Sequence, residues 1–221
     1  MNFLKFFSLV FLVVCMNVHA KNIDEFKVDA EHVVQAFCGN DNAITFHLIR
    51  NGKRVFSVRS EDAFCGEDEG NILYADHYGR KAIYGSYTKL TVTTGSRNIY
   101  IIDTTASKII LAGSLPVMAE EQSDGTFLYE AIVINSKIKE IYSFTDDNKI
   151  INRKSTMLVF EGNVCIRKSD LGVYVDSNCD DGIAASRRSP VCVERNFDDP
   201  PKIISLNECD IKKEEVSDIS E

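Results

Sequence analysis

Apolar and polar residues alternate along most of the chain from residue 43 onward, in short runs that are separated by turn residues. Ile44 to Leu48 alternates, Asn51-Gly52 is a turn signal, and Arg54 to Val58 alternates again. The same pattern predicts strands at residues 81–87, 90–94, 99–102, 108–111, 128–134, 138–144, 148–153, 156–160 and 164–168, with a last strand beginning at 174. About ten short, evenly spaced strands predict an all-β fold of antiparallel hairpins, arranged as a propeller-like domain, a barrel or a sandwich.

The first hairpin allows a prediction of strand register. A two-residue loop at Asn51-Gly52 would pair Phe46 with Ser57 and mix the two faces of the hairpin. A three-residue loop, Arg50 to Gly52, would pair Phe46 with Phe56 and make one face apolar. The sequence therefore favours the three-residue loop.

Residues 22–37 are the one long stretch with helical spacing. Four apolar residues recur there at intervals of one, three and four: Ala30, Val33, Val34 and Phe37. Asp29 is a suitable N-terminal cap for a helix. Because the valines also suit a strand, a short N-terminal helix and a strand are both open interpretations of this stretch.

The chain begins with the pattern of a secretory signal peptide. Lys5 forms a positive n-region, residues 6–16 are apolar, and Val18-His19-Ala20 is a small-x-small cleavage site. The uninterrupted apolar run is shorter than the roughly 20 residues that a membrane-spanning helix needs. Lipidation at Cys15 is the alternative, but the residue before it is larger than is usual at such sites. We expect cleavage after Ala20, no membrane span, and a secreted or periplasmic location.

Six cysteines follow the expected cleavage site: Cys38, Cys65, Cys165, Cys179, Cys192 and Cys209. None is spaced as Cys-x-x-Cys, which weakens a zinc or redox site, and disulfides are the default outside the cytosol. In the predicted hairpin register Cys38 and Cys65 face each other at the open end, which predicts a Cys38–Cys65 bond. Cys165 and Cys179 bracket a second predicted hairpin, which predicts a Cys165–Cys179 bond. Cys192–Cys209 then follows by elimination among the 15 connectivities that six cysteines allow.

The character of the sequence changes after Cys179. Residues 180–189 are polar, Pro190 interrupts the strand pattern, and Asp198 to Pro201 cannot form a central strand. Residues 210–221 are charged and poor in large apolar side chains. We therefore divide the chain into a signal peptide (1–20), an all-β domain (21–179), a disulfide-pinned loop-rich segment (180–209) and a flexible acidic tail (210–221).

The formal net charge of −8 disfavours nucleic acids and anionic membranes as partners. The densest charge cluster runs from Glu61 to Asn71. Its spacing does not fit an EF-hand loop, so a solvated loop or an electrostatic contact for a basic protein is favoured over a calcium site. The residues predicted to contact a protein partner are Glu61, Asp62, Glu67, Asp68, Glu69, Tyr74 and Tyr78.

Motifs for catalysis are weak. Ser86-Tyr87-Thr88-Lys89 matches Ser-x-x-Lys, but that motif acts at the start of a helix, whereas here it lies in a strand pattern. Cysteine pairing removes a free thiol, and no Gly-x-Ser-x-Gly sequence is present. His47 is interpreted as an ordinary exposed histidine on the polar face of its hairpin. We expect no metal, no cofactor and no enzymatic activity; a secreted hydrolase that uses carboxylates or Ser86 and Lys89 is the alternative.

Residues 72–81, Ile-Leu-Tyr-Ala-Asp-His-Tyr-Gly-Arg-Lys, resemble the strand-plus-aspartate-loop unit of a family of small bacterial periplasmic β-propeller-like proteins. In intact members a run such as Asp-x-Asn-x-Asp-Gly-x-x-Asp follows the strand; here the acidic ligands are replaced by His77, Tyr78, Arg80 and Lys81. Hairpins at residues 98–110 and 131–141 resemble later hairpins of that family. Because some members are linked to inhibition of cell-wall lytic toxins, the resemblance implies an inhibitor or immunity-type protein. An envelope structural module is a third interpretation.

Overall fold

The computed structural model describes residues 21–65, 72–85, 95–133, 135–160, 163–169, 172–176 and 186–211. Every regular element within these residues is a β-strand, all strand pairs are antiparallel, and the strands form four sheets. The prediction of an all-β fold of antiparallel hairpins is therefore confirmed. A search of the same residues finds no helix with the length and apolar character to cross a membrane.

The first sheet contains four strands in chain order: β1 (Lys21–Lys27), β2 (His32–Cys38), β3 (Ala43–Arg50) and β4 (Lys53–Phe64). β1 and β2 occupy the stretch for which a helix was one interpretation, and that interpretation is wrong. In β2 burial alternates with a period of two, so that Val34 and Ala36 point into the core while Val33 and Gln35 are half-buried. The apolar spacing fitted both periods, and pairing with β1 and β3 selects the strand.

β3 and β4 are joined by the two-residue turn Asn51-Gly52 and not by the predicted three-residue loop. Both residues have positive φ, 48° and 75°, as a type I′ turn requires. Val55 is then an extra residue in β4, and beyond this bulge Phe46 pairs with Val58. The prediction of register was wrong because it assumed a β-ladder without a bulge. The bulge at Val55 shifts the later pairs so that the hairpin again has one apolar face.

The Cys38–Cys65 disulfide is present, as predicted. Cys38 ends β2 and Cys65 follows β4, so the bond crosses the end of the intervening strand β3 rather than the mouth of a single hairpin. The predicted Cys192–Cys209 disulfide is also confirmed. Cys165 is disulfide-bonded, and its predicted partner Cys179 lies outside the described residues.

The second sheet contains four strands in chain order: β5 (Leu73–His77), β6 (Arg80–Tyr84), β7 (Ser96–Asp103) and β8 (Lys108–Pro116). Its apolar face packs on the first sheet in a sandwich-like arrangement. The shared core joins Phe46 and Leu48 of the first sheet to Ile83, Ile102 and Ile109 of the second. Residues 86–94, with the predicted strand at 90–94 and the Ser86/Lys89 pair, lie outside the described residues.

The rest of the described chain adds nine strands: β9 (Glu120–Glu121), β10 (Phe127–Val133), β11 (Ser136–Phe144), β12 (Ile150–Val159), β13 (Asn163–Ser169), β14 (Gly172–Asp176), β15 (Ser186–Arg188), β16 (Val191–Asn196) and β17 (Lys202–Ile204). Six of them form a sheet in the order β17-β16-β12-β11-β10-β9, and β14-β13-β15 form a small sheet. The strands expected at 148–153 and 156–160 are the single strand β12.

The segment 180–209, which was expected to be rich in loops, contains β15, β16 and β17. β16 lies between β12 and β17, and its run of Val191, Cys192 and Val193 is fully buried. The chain after Cys209 continues into the fold for at least two residues, because Ile211 is buried beside Leu158. The rest of the predicted tail lies outside the described residues.

Candidate protein-contact surface

The predicted contact residues fall into two groups. Glu61 and Asp62 lie in β4, and Glu67, Asp68 and Glu69 lie outside the described residues. Tyr74 and Tyr78 are both described, and they occupy very different environments.

Tyr74 is half-buried on β5. Its ring stacks on Phe26 of β1, with centroids 5.5 Å apart and planes at 23°. Its hydroxyl oxygen is buried and has no hydrogen-bond partner among the residues that the structure describes. Burial raises the pKa of the Tyr74 hydroxyl. Tyr74 thus contributes to the packing of the first sheet on the second and offers little surface to a partner.

Tyr78, by contrast, is an exposed aromatic residue at the turn between β5 and β6, with 56 % of its surface accessible. Tyr78 and Gly79 both have positive φ, 48° and 80°, so this is a type I′ turn that places the side chain beyond the end of the sheet. The hydroxyl donates to the carbonyl oxygen of Ser123 and lies 3.3 Å from that of Gln122. The ring also lies against Gly125, where an added Cβ would be 3.2 Å from Cε2 of Tyr78. The ring is therefore held in place before any partner arrives.

His77 lies directly beneath this turn and is only 1 % exposed. Its ring stacks on Phe127, at 4.7 Å between centroids, and contacts Phe144 at 5.1 Å. Nδ1 is 2.8 Å from Oε1 of Glu121, and Nε2 is 3.3 Å from the carbonyl oxygen of Gly125. The Nδ1–Oε1 contact lacks the geometry of a hydrogen bond, so the hydrogen bond of the imidazole is the one between Nε2 and Gly125. Through this one side chain, β5 is joined to β9, β10 and β11.

Arg80 links the turn between β11 and β12 to the turn that contains Tyr78. Its guanidinium carbon is 5.4 Å from the centroid of the Phe144 ring, and its Nε donates to Oδ1 of Asn148 at 2.9 Å. Asn148 lies in the turn between β11 and β12, with a φ of 62°. Three turns, residues 77–80, 122–126 and 145–149, therefore meet, and we call them together the three-turn surface.

Acidic side chains dominate the three-turn surface and the strand ends beside it. The exposed carboxylates are Asp76, Glu120, Glu121, Asp124, Asp146 and Asp147. The cations there are fewer: Arg80, Lys81, which pairs with Asp76, and Lys149, which lies 3.2 Å from Asp147. Exposed carboxylates that outnumber cations two to one make this surface attractive to a basic partner.

Hydrogen bonds favour the ionised form of three of these carboxylates: Asp76, Asp124 and Asp147. The Lys81 ammonium is the main cause that lowers the pKa of Asp76. The hydroxyl and backbone N–H of Thr126 lower the pKa of Asp124, and the hydroxyl of Thr145 lowers that of Asp147. Each bond favours the ionised form of the acceptor. These three carboxylates therefore remain ionised at neutral pH.

The other histidines lie elsewhere. His47 is half-buried on β3 with Nδ1 2.7 Å from Oγ of Ser57, and burial together with the charge of Arg54 lowers its pKa. His32 is buried, with Nδ1 2.9 Å from both carboxylate oxygens of Asp29. Among the residues that the structure describes, no group of three or more His, Cys, Asp or Glu could hold a metal ion.

No family model, no curated protein and no solved structure matches this chain. The resemblance of residues 72–81 to the periplasmic propeller-like proteins therefore stays a prediction. The three-turn surface is the feature of the molecule that points to a function.

Proposed function

We propose that this protein is a secreted or periplasmic, non-enzymatic binding protein that occludes a basic protein partner. The observation that carries this proposal is the exposed ring of Tyr78, which is held by the 122–126 loop and surrounded by charged carboxylates. The favoured partner is a cell-wall lytic enzyme or toxin, which makes the protein an inhibitor or immunity-type protein. The predicted acidic contact residues Glu61, Asp62, Glu67, Asp68 and Glu69 add to the attraction of a basic partner through their charge.

Aromatic and acidic residues contribute to the proposed binding in different ways. A tyrosine whose position is fixed before binding loses little conformational entropy, and tyrosines are enriched among the residues that dominate interface energies. The acidic rim accelerates encounter with a basic protein and contributes to selectivity. Together they favour fast, salt-dependent binding that depends strongly on one ring.

Export is the second part of the proposal. The Cys38–Cys65 and Cys192–Cys209 disulfides indicate an oxidising environment. The N-terminal signal pattern with cleavage after Ala20 supports secretion or periplasmic location.

The test uses the mature chain from Lys21, with Tyr78→Ala as the variant and Leu111→Ala as the control. Leu111 is 52 % exposed on β8 and is matched to Tyr78 in exposure. Periplasmic extract is passed over each protein at low and high salt, and a purified basic lysozyme serves as a defined probe in a cell-wall lysis assay. We expect the wild type and Leu111→Ala to recover a basic protein at low salt. The recovery should fall at high salt, and at low salt it should fall in Tyr78→Ala only. Salt-insensitive recovery, no protein partner, or turnover of peptidoglycan or ester substrates that Ser86→Ala abolishes would contradict the proposal.

A further inference from the structure

A groove of about 730 Å³ lies on one face of the six-stranded sheet, beside the loop that joins β16 to β17. Its lining includes Glu140, Asn152, Ser155, Arg195, Phe197 and Pro201. A smaller cavity of about 340 Å³, lined in part by Tyr129 and Tyr142, shares Glu140 with it. None of these residues belongs to the three-turn surface.

Four of these side chains form one row across the sheet. Tyr129 of β10 pairs with Glu140 of β11, Glu140 with Ser155 of β12, and Ser155 with Arg195 of β16. Residues directly opposite one another in a sheet project from the same face. With neighbouring strands about 4.8 Å apart, the row is roughly 14 Å long.

The carboxylate of Glu140 is fixed at the centre of the row. Oε2 accepts a hydrogen bond of 2.6 Å from the hydroxyl of Tyr142. Oε1 accepts bonds of 3.3 Å from Nδ2 of Asn152 and from Oγ of Ser155. Burial and the bond to Glu140 raise the pKa of the Tyr142 hydroxyl well above its usual value, so it remains a donor. An ionised carboxylate held in this way offers its remaining lone pair in a fixed direction.

The end of the row at β16 supplies a donor and an apolar wall. Arg195 is exposed and forms no ion pair with any residue that the structure describes. Phe197 is 48 % exposed, and Pro200 and Pro201 continue the apolar wall beside it. The groove thus combines hydrogen-bond donors and acceptors along its floor with an apolar side.

We propose that this groove binds a neutral oligosaccharide that lies along the row from Tyr129 to Arg195. Sugar hydroxyls both donate and accept hydrogen bonds, which matches a row of carboxylate, hydroxyl and guanidinium groups. The apolar face of a sugar ring fits against Phe197. The chemical class of the ligand follows from this pairing of polar floor and apolar wall.

Other ligand classes fit this groove less well. An anionic ligand is disfavoured because Glu140, Asp198 and Asp199 oppose the single guanidinium of Arg195. A peptide that adds a strand needs the open edge of a sheet, whereas this row lies on a sheet face.

The test is calorimetric titration of the mature protein with linear trisaccharides: cellotriose, maltotriose and the β-1,4-linked trimer of N-acetylglucosamine. The variants are Glu140→Gln and Arg195→Ala. Glu130→Gln is the matched control, because Glu130 is on β10 and points from the opposite face of the same sheet. At least one trisaccharide should bind, and each variant should bind it at least about tenfold more weakly than the wild type, since each loses a hydrogen bond to a charged group. Glu130→Gln should bind normally.

Phe197→Ala provides a variant that folds even if Glu140→Gln does not, because the Phe197 side chain is half-exposed. It should also weaken binding while leaving the melting temperature unchanged. The proposal is overturned if no trisaccharide binds the folded wild type, or if folded variants bind as the wild type does. Tyr78→Ala should leave saccharide binding unchanged, so a failure here is distinct from a failure of the proposed protein contact.

Discussion

The imidazole of His77 lies nearly parallel to the ring of Phe127, with centroids 4.7 Å apart and planes at 19°. This contact joins the second sheet to the six-stranded sheet, because His77 ends β5 and Phe127 begins β10. The same imidazole meets Glu121 and Gly125 through its two nitrogen atoms. The contacts of this one buried residue therefore contribute, with those of Tyr78 and Arg80, to holding the three turns together.

We predict that His77→Ala destabilises the protein by about 3 kcal/mol, because it leaves a cavity between aromatic rings. His77→Phe keeps the stacking on Phe127 but loses the contact with Glu121, so its loss should be smaller, about 1 kcal/mol. Chemical denaturation of both variants checks this order. Equal losses would show that the stacking contributes little to stability.

Alternation predicted β3, β4, β6, β7 and β8 of the first two sheets. It left β1 and β2 open between helix and strand, did not identify β5, and did not predict the register of β3 and β4. The bulge at Val55 has no signal in the sequence, because it depends on which residues of β3 and β4 meet across the ladder. β16 escaped prediction since Val191, Cys192 and Val193 form an unbroken apolar run without alternation.

His77 escaped prediction as a site residue for a different reason. Its partners Glu121, Gly125 and Phe127 lie more than 40 positions away in the chain. The packing of the second sheet against the six-stranded sheet brings them together. The one local signal is the alternation of side chains along β5. His77 lies on the same face of the strand as Ala75, and therefore on the other face from the exposed Asp76. Tyr78 stays a predicted contact residue, and its support by the 122–126 loop is a tertiary feature that the sequence does not show.

Gly125→Ala should lower both stability and partner affinity. Gly125 has a φ of +82°, and an added Cβ would contact the Tyr78 ring at 3.2 Å. Gly52→Ala is the matched control, because Gly52 has a φ of +75° with nothing within 4 Å of an added Cβ. Positive φ alone costs about 1 kcal/mol in each variant, and only Gly125→Ala should also displace Tyr78. Partner affinity that is unchanged in Gly125→Ala would argue against a role for the fixed ring.

Removal of either described disulfide should destabilise the protein. The Cys38–Cys65 and Cys192–Cys209 bonds close segments with sequence separations of 27 and 17. On the chain-entropy account each contributes about 3 kcal/mol, which paired Cys→Ser variants in urea denaturation will measure. The purified mature protein should also fail to react with a thiol probe until it is reduced. Reaction of all its cysteines without reduction would refute the oxidised scaffold on which the export argument depends.

The ion pairs of Lys154 near the end of the described chain should make the stability of the protein fall at acidic pH. The Nζ of Lys154 lies 2.8 Å from Oε2 of Glu194 and 3.1 Å from Oδ2 of Asp210. The bond from Lys154 is the main cause that lowers the pKa of Glu194. Burial opposes the shift at Asp210, but the bond from Lys154 leaves its pKa lowered as well.

Because both pKa values are lower in the folded state, the stabilisation is complete above the ordinary values of 4.5 for Glu194 and 3.8 for Asp210. It is lost as the pH falls through the lower folded values. Lys154→Met should remove about 1 kcal/mol at pH 7 and little at pH 2. Urea denaturation of the wild type and the variant at both pH values measures the difference, and Lys149→Met is the control for a lysine in an exposed pair. A loss in Lys154→Met that is the same at both pH values would mean that packing of the lysine stem, and not its charge, holds Asp210 against β12.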